Sequence, residues 1–193
     1  METIRTFISI DFPEQAIKVI GDIQKSLNNA IPTIVRWIKS ENMHLTLKFL
    51  GNVQLQKIHV IEIALDKIAL EIEPFHLNLE GIGAFPNWGH PRIIWIGVGK
   101  PELVHGLAEQ IEEKMVALDC QKEIKSFSPH LTIGRVREHI SSEDIQMLEK
   151  RTRINTTFVD QIMVTGIHLY KSDLHPSGPV YTLLHSSPFK RVL

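Results

Sequence analysis

The chain has one cysteine, Cys120, among 193 residues. No intrachain disulfide can form, which suits a reducing compartment, and cysteine-based zinc sites are excluded. A basic excess is missing as well: formal net charge is -1 at pH 7. Proteins that grip long stretches of nucleic-acid backbone rely on neutralising many phosphates, so a short end or a small molecule is the expected ligand. No apolar stretch approaches the roughly 20 residues that span a bilayer. The N-terminal METIRTFISIDFPEQ carries early acidic residues and only a short apolar run, unlike a signal peptide. The expectation is a cytoplasmic, monomeric protein with no membrane partner. Also absent are a Gly-rich phosphate loop, a serine nucleophile elbow, and histidines at i, i+4 on a helix beside an acidic residue. ATP-driven ligation, serine hydrolysis and zinc hydrolysis each lack their equipment, so no metal or other cofactor is expected.

What remains is ordinary globular material, 43% hydrophobic and 22% charged, long enough to bury a sizeable core. Periodicity predicts strands at 6–10, 35–38, 44–50, 75–79, 93–98, 130–136, 158–164, 167–171 and 180–184. It predicts helices at about 13–29, 54–72, 101–118 and 142–151. Three landmarks recur in the same order at nearly one offset: Pro13-Glu14 and Pro101-Glu102, His44 and His130, Gly81-Ile82 and Gly166-Ile167. Such self-similarity suggests an internal duplication, with approximate repeats at 1–90 and 91–185. No Pro/Gly/Ser-rich linker separates them, so the expectation is an α+β fold of two pseudo-symmetric lobes in one compact unit spanning 1–193.

The chemistry concentrates in His44-Leu45-Thr46-Leu47 and His130-Leu131-Thr132-Ile133. Residues i and i+2 of a strand share a face, so each tetrapeptide presents a histidine beside a threonine and packs its aliphatic residues behind. Imidazole changes charge near neutral pH, and a hydroxyl can donate to a phosphate oxygen. Two such pairs facing one cleft would suit acid–base attack on a phosphodiester, one histidine taking a proton and the other giving one. With ten His and ten Thr, random order gives roughly 0.5 His-x-Thr occurrences. Two copies with Leu between the pair are expected about once in a thousand such sequences.

Paired motifs at this spacing resemble the 2H phosphoesterase superfamily. The stretches Trp37–Gly51, Gly81–Pro86, Pro91–Val98, Phe127–Arg135 and Leu169–Tyr181 look like its bacterial and archaeal RNA 2′,3′-cyclic phosphodiesterase branch, long called 2′-5′ RNA ligases. The resemblance runs from Phe7 to Tyr181. It implies antiparallel sheets flanking a central cleft and metal-independent opening of a 2′,3′-cyclic phosphate on RNA or a small cyclic nucleotide, leaving the phosphate on O2′. It also implies that His44 is the proton donor, His130 the acceptor, and Thr46 and Thr132 the phosphate-holding residues. Ligation at a 2′-5′ bond, another cyclic nucleotide as substrate, and non-catalytic binding of an RNA end are competing readings of the same cleft.

Secondary candidates surround these four. Lys48, at i+4 from His44, falls on the same strand face and could steady phosphate charge; a merely solvated strand-edge lysine fits equally. Arg135, at i+5 from His130, reaches the cleft only if the strand ends or bulges near Gly134; arginine there is common in the family it resembles. Phe85, Trp88 and Arg92 lie on a Pro/Gly-rich stretch that could stack a base, although core packing fits Phe85 at least as well. Trp95 is expected in the core.

Overall fold

The computed structural model describes residues 2–30, 32–154, 159–176 and 178–190. Among the described residues there are nine strands and four α-helices. In order they are β1 (Thr3–Asp11), α1 (Glu14–Ala30), β2 (Val35–Trp37), β3 (His44–Gln54), α2 (Leu55–Ala69), β4 (Phe75–Phe85), β5 (Ile93–Gly99), α3 (Glu102–Ala117), β6 (His130–Val136), α4 (Ser142–Ile154), β7 (Val159–Val164), β8 (Gly166–His175) and β9 (Gly178–Pro188). A one-turn 3-10 helix, Ser40–Asn42, precedes β3. Phe158, expected to begin β7, lies outside the described residues. No described helix is long and apolar enough to cross a membrane.

Helices α1 and α3 are held by apolar stripes. On α1, Ile20, Ile23, Gln24 and Leu27 are buried, and on α3 Val104, Leu107, Ala108, Ile111 and Met115, both sets at the i, i+3, i+4, i+7 spacing of one helical face. These stripes cover one face of the sheet. Helices α2 and α3 pack against the β3, β8 and β9 side, and α1 and α4 against β4 and β7. The Gln24 amide on α1 extends this packing by donating to the backbone carbonyls of Ile38 (2.9 Å) and Ile133 (2.8 Å).

The sheet is antiparallel in order β7-β4-β5-β6-β3-β1-β8-β9, with β2 added to β6. Its two halves meet at β3 and β6, whose recorded register pairs Leu45 with Leu131. Both leucines are fully buried on the helix side. Burying such a side chain is worth roughly 1.5–3 kcal/mol, which locks the strand faces. A one-residue slip would turn every side chain over. The apolar residues therefore decide where the polar ones point.

Several strands outrun their expected ends. β3 continues past Gly51, which adopts a positive φ of 70° within the strand where a turn was expected. β4 continues to Phe85 through an irregularity at Gly81, φ 69°, the residue left unpaired between the Glu80–Gly97 and Ile82–Ile96 pairs. Glycine tolerates that backbone region without strain, so it marks a bulge here and not a stop.

Candidate active site

Antiparallel pairing of Leu45 with Leu131 sets His44 across from Thr132 and Thr46 across from His130, all four on the face without helices. Bulges then decide what joins them. On β3, Ile8 pairs with Lys48 and Ser9 with Thr46, leaving Leu47 as an extra residue. The alternation flips there: Lys48 points to the helix face and Phe49 to the cleft. Lys48 is buried, and its Nζ bonds to Glu112 Oε2 of α3 at 2.5 Å and to the Gln121 carbonyl at 3.0 Å. The expectation that Lys48 shares the histidine face therefore fails; it is a structural ion pair.

The same irregularity serves Arg135. Ile94 pairs with Gly134 and Trp95 with Thr132, so Ile133 is the extra residue and Arg135 returns to the cleft face. The arginine is exposed and close enough to Tyr181 to bear on its hydroxyl. Burial pushes that phenol up, with Arg135 and Arg5 opposing.

Aromatic rings wall both sides. The Phe7 ring stacks on His44 at 4.6 Å and on Tyr170 at 5.5 Å, and Tyr181 meets His44 edge-on at 5.2 Å. On the other side Phe85 meets His130 edge-on at 4.9 Å, and Trp95 lies 6.3 Å from it. Trp95, expected in the core, stands on the cleft face opposite Thr132. Trp88 packs against the core cluster instead. Arg92 is exposed at the entry to β5, its backbone N–H donating to the Phe85 carbonyl at 2.7 Å.

The two histidines differ electrostatically. Burial pushes the His44 imidazole down to about 4, against the opposing pull of the Asp11 carboxylate and the Asn42 backbone carbonyl. His130 Nδ1–H donates to the Ser128 carbonyl at 2.7 Å. A carbonyl can only accept, so the neutral His130 ring keeps its lone pair on Nε2, free to take a proton. Asp11, paired across from His44, accepts the Tyr170 hydroxyl at 2.5 Å and lies 3.9 Å from His168 Nε2. Burial, then the bond to Asp11, pushes the Tyr170 phenol well up. A recess of about 190 Å³ opens here, lined by His44, Asp11, Ser40, Glu41, Tyr170 and Tyr181 among others. Sequence reasoning passed over Phe7 and Asp11 as site residues. Their signal was the odd-numbered alternation Arg5, Phe7, Ser9, Asp11 on a strand beside the first motif. Among the described residues no group of three or more His, Cys, Asp or Glu is placed to hold a metal ion.

The cleft between the two sheet halves thus carries one histidine–threonine pair from each, and comparison with known proteins shows what class of protein the chain is. The family model described as LigT like Phosphoesterase matches residues 10–95 and again 97–181. The chain belongs to this LigT-like phosphoesterase family. A Methanocaldococcus jannaschii protein named RNA 2′,3′-cyclic phosphodiesterase is 35% identical over 182 residues, covering 94% of this chain and 98% of that protein. One of the same name from Methanothermobacter thermautotrophicus is 31% identical over 179 residues, 93% of this chain and 95% of its own length. Among solved structures, a Thermus thermophilus protein superposes with a TM-score of 0.78 at 25% identity, over 96% of this chain and 98% of that one. E. coli LigT complexed with 3′-AMP has the same fold, with a TM-score of 0.74 at 23% identity over 98% and 100% of the two chains.

Proposed function

We propose that this protein is an RNA 2′,3′-cyclic phosphodiesterase that hydrolyses the cyclic end to a 2′-phosphomonoester, with His130 as base, His44 as acid and Thr46 and Thr132 holding the phosphate. The observation that carries the reading is the Leu45–Leu131 register, which turns both histidines and both threonines to one open face. In the step, water adds to phosphorus and gives a proton to His130 Nε2. The P–O3′ bond breaks with its electron pair on O3′, and His44 supplies the proton that makes O3′ an alcohol. Exchange with solvent restores both rings. The threonine hydroxyls donate to phosphate oxygens on which charge builds. Because burial holds His44 near 4, its acid role requires the substrate phosphate's negative charge to draw a proton onto it.

Arg135 on the same face suits the phosphate or the preceding nucleotide, and Phe85 offers a base a ring to rest on. The sheet order, read outward from the β3–β6 seam, and the twice-matching family model support descent from a duplicated half, with repeats near 1–90 and 91–185. Cys120, free and partly buried, fits a reducing compartment, and the protein is read as a cytoplasmic monomer. The test is an RNA oligonucleotide ending in a 2′,3′-cyclic phosphate, offered to His44→Ala and His130→Ala. Each variant should lose about 10²–10⁴-fold in kcat, the usual loss for a general acid or base, while still binding the end. Full activity in either variant would overturn the two-histidine reading. Binding without turnover in the unmodified protein would leave an end-binding module.

A further inference from the structure

Two identical side chains are asked to do opposite work, so something must tell them apart. The strands flanking the seam do so. Opposite His44 on β1 stands Asp11; opposite His130 on β5 stands Gly97. Opposite Thr46 stands Ser9, and opposite Thr132 stands Trp95. The Trp95 indole fills the room on its side. A Cβ built on Gly97 would meet the Glu80 carbonyl at 2.9 Å and the indole at 3.3 Å, and one on Gly83 would meet the indole at 2.1 Å. No side chain, charged or otherwise, fits beside His130 where Asp11 sits beside His44. Both histidines have ring neighbours, but only His44 has a carboxylate on the facing strand position.

A carboxylate in a cleft that receives an anion weakens binding unless a cation offsets it. The groups around this corner are Asp11 and, farther along β1, Arg5; Tyr170 and His168 from β8; Tyr181 from β9; Glu41 of the 3-10 turn with Lys39 ion-paired to it at 3.8 Å; and His130 and Arg135 from β6. Of these, Tyr170 already donates to Asp11 at 2.5 Å, which fixes the carboxylate and draws off part of its charge. The side chain on the facing strand position is His44.

We propose that Asp11 is the positioning residue that assigns the acid's role to His44, its carboxylate favouring the imidazolium that releases O3′, with Tyr170 setting how strongly it does so. The pair His44-H⁺/Asp11⁻ is neutral, so the phosphate monoanion enters without net repulsion from this corner. His130, with no carboxylate beside it, is left as the base. This rests on the proposed hydrolysis, and the test separates the two.

The experiment follows the His44 ring by NMR with 2′-AMP bound, in the full-length protein and in Asp11→Asn, Asp11→Glu and Tyr170→Phe. The ligand's own titration is common to all four. Asparagine keeps the shape and removes the charge, so the His44 midpoint should fall by a unit or more. kcat at pH 8 on a 2′,3′-cyclic nucleotide should fall tenfold for each unit, because the rate there follows the protonated fraction of the acid. Asp11→Glu should restore most of both. Tyr170→Phe should move the midpoint the other way, upward by a few tenths, since the carboxylate loses a donor. A role in packing alone would lower activity in both Asp11→Asn and Tyr170→Phe with the His44 midpoint unmoved, and that result overturns the proposal. So does a moved midpoint with kcat unchanged. If the unmodified protein neither binds 2′-AMP nor turns over the cyclic nucleotide, the hydrolase reading falls and the proposal with it.

Discussion

Replacing Glu112 by alanine removes the partner of a buried lysine, and the structure sets the size of the effect. Lys48 has 2% of its side chain exposed and Glu112 26%, with Nζ to Oε2 at 2.5 Å. Glu112 Oε1 also accepts the Glu123 backbone N–H at 2.9 Å, and Lys48 donates to the Gln121 carbonyl, so the pair ties β3 and α3 to the segment that leads to His130. Breaking a buried pair by deleting one member costs about 3–5 kcal/mol, because the remaining charge is stranded. With Glu112 a quarter exposed, the lower end applies. For a chain of this length about 3 kcal/mol lowers Tm by about 6–12 °C. Lys48→Met should cost less, about 1 kcal/mol, since the carboxylate left behind can reach water. Combining Lys48→Met with Glu112→Leu should cost less than the two single losses summed. The pH dependence has a definite sign. Burial raises the Glu112 carboxyl, but the bonds from Lys48 and the Glu123 amide outweigh it and leave it below its ordinary 4.5. A depressed carboxyl contributes stability above 4.5 and loses it as pH falls through the folded value, so the gap between the parent and Glu112→Ala should close on acidification. Thermal melts across pH, paired with kcat/KM of Lys48→Met at a temperature where it is folded, are the assay. The prediction is a lower Tm with kcat/KM within about threefold of the parent, since losing a pair outside the cleft removes no transition-state contact. A tenfold loss of kcat/KM in Lys48→Met with Tm unchanged would refute the reasoning and put Lys48 back in the cleft.

Thr46→Val and Thr132→Val should each cost about 1–3 kcal/mol of transition-state stabilisation, the scale of a hydrogen bond to a charged group. Their kcat/KM should therefore stay above that of the histidine variants; valines as inactive as alanine at 44 or 130, in folded protein, would contradict the assigned roles. His44 carries a stability prediction. Its folded value near 4 lies below the ordinary 6.5, so the unfolded chain takes the proton first and stability falls as pH drops below 6.5. Between pH 7.5 and 5 this costs about 2 kcal/mol. Denaturant melts should show His44→Gln losing that much less than the parent over the same interval, and an equal loss would contradict the burial of His44.

The four central residues were legible because their spacing is short and the strand period is 2, so His44 with Thr46 and His130 with Thr132 could be paired on a face by inspection. The same period misled at Lys48, because Leu47 is an extra residue and everything after it changes sides. It was rescued at Arg135 by the matching bulge at Ile133. Neither bulge has an unambiguous signature; Gly134 hinted at one, whereas nothing in His44–Leu50 hinted at the other. Trp95 looked like core because Ile94 and Ile96 beside it are core, and only the pairing with Thr132, with Gly83 and Gly97 making room, puts it in the cleft. Asp11 and Tyr170 are 159 positions apart, and their meeting depends on β1 lying beside β8, a tertiary fact that local pattern does not carry.

The central claim, that two histidines open a 2′,3′-cyclic phosphate without a metal and leave the phosphate on O2′, is tested most directly by phosphorus NMR of a 2′,3′-cyclic nucleotide incubated with the purified protein and excess EDTA. The cyclic diester resonance should decay, and a single new resonance, that of the 2′-monoester, should replace it at a rate the chelator does not change. A 3′-monoester would reverse the donor and acceptor, and turnover that EDTA abolishes and a divalent metal restores would contradict the account.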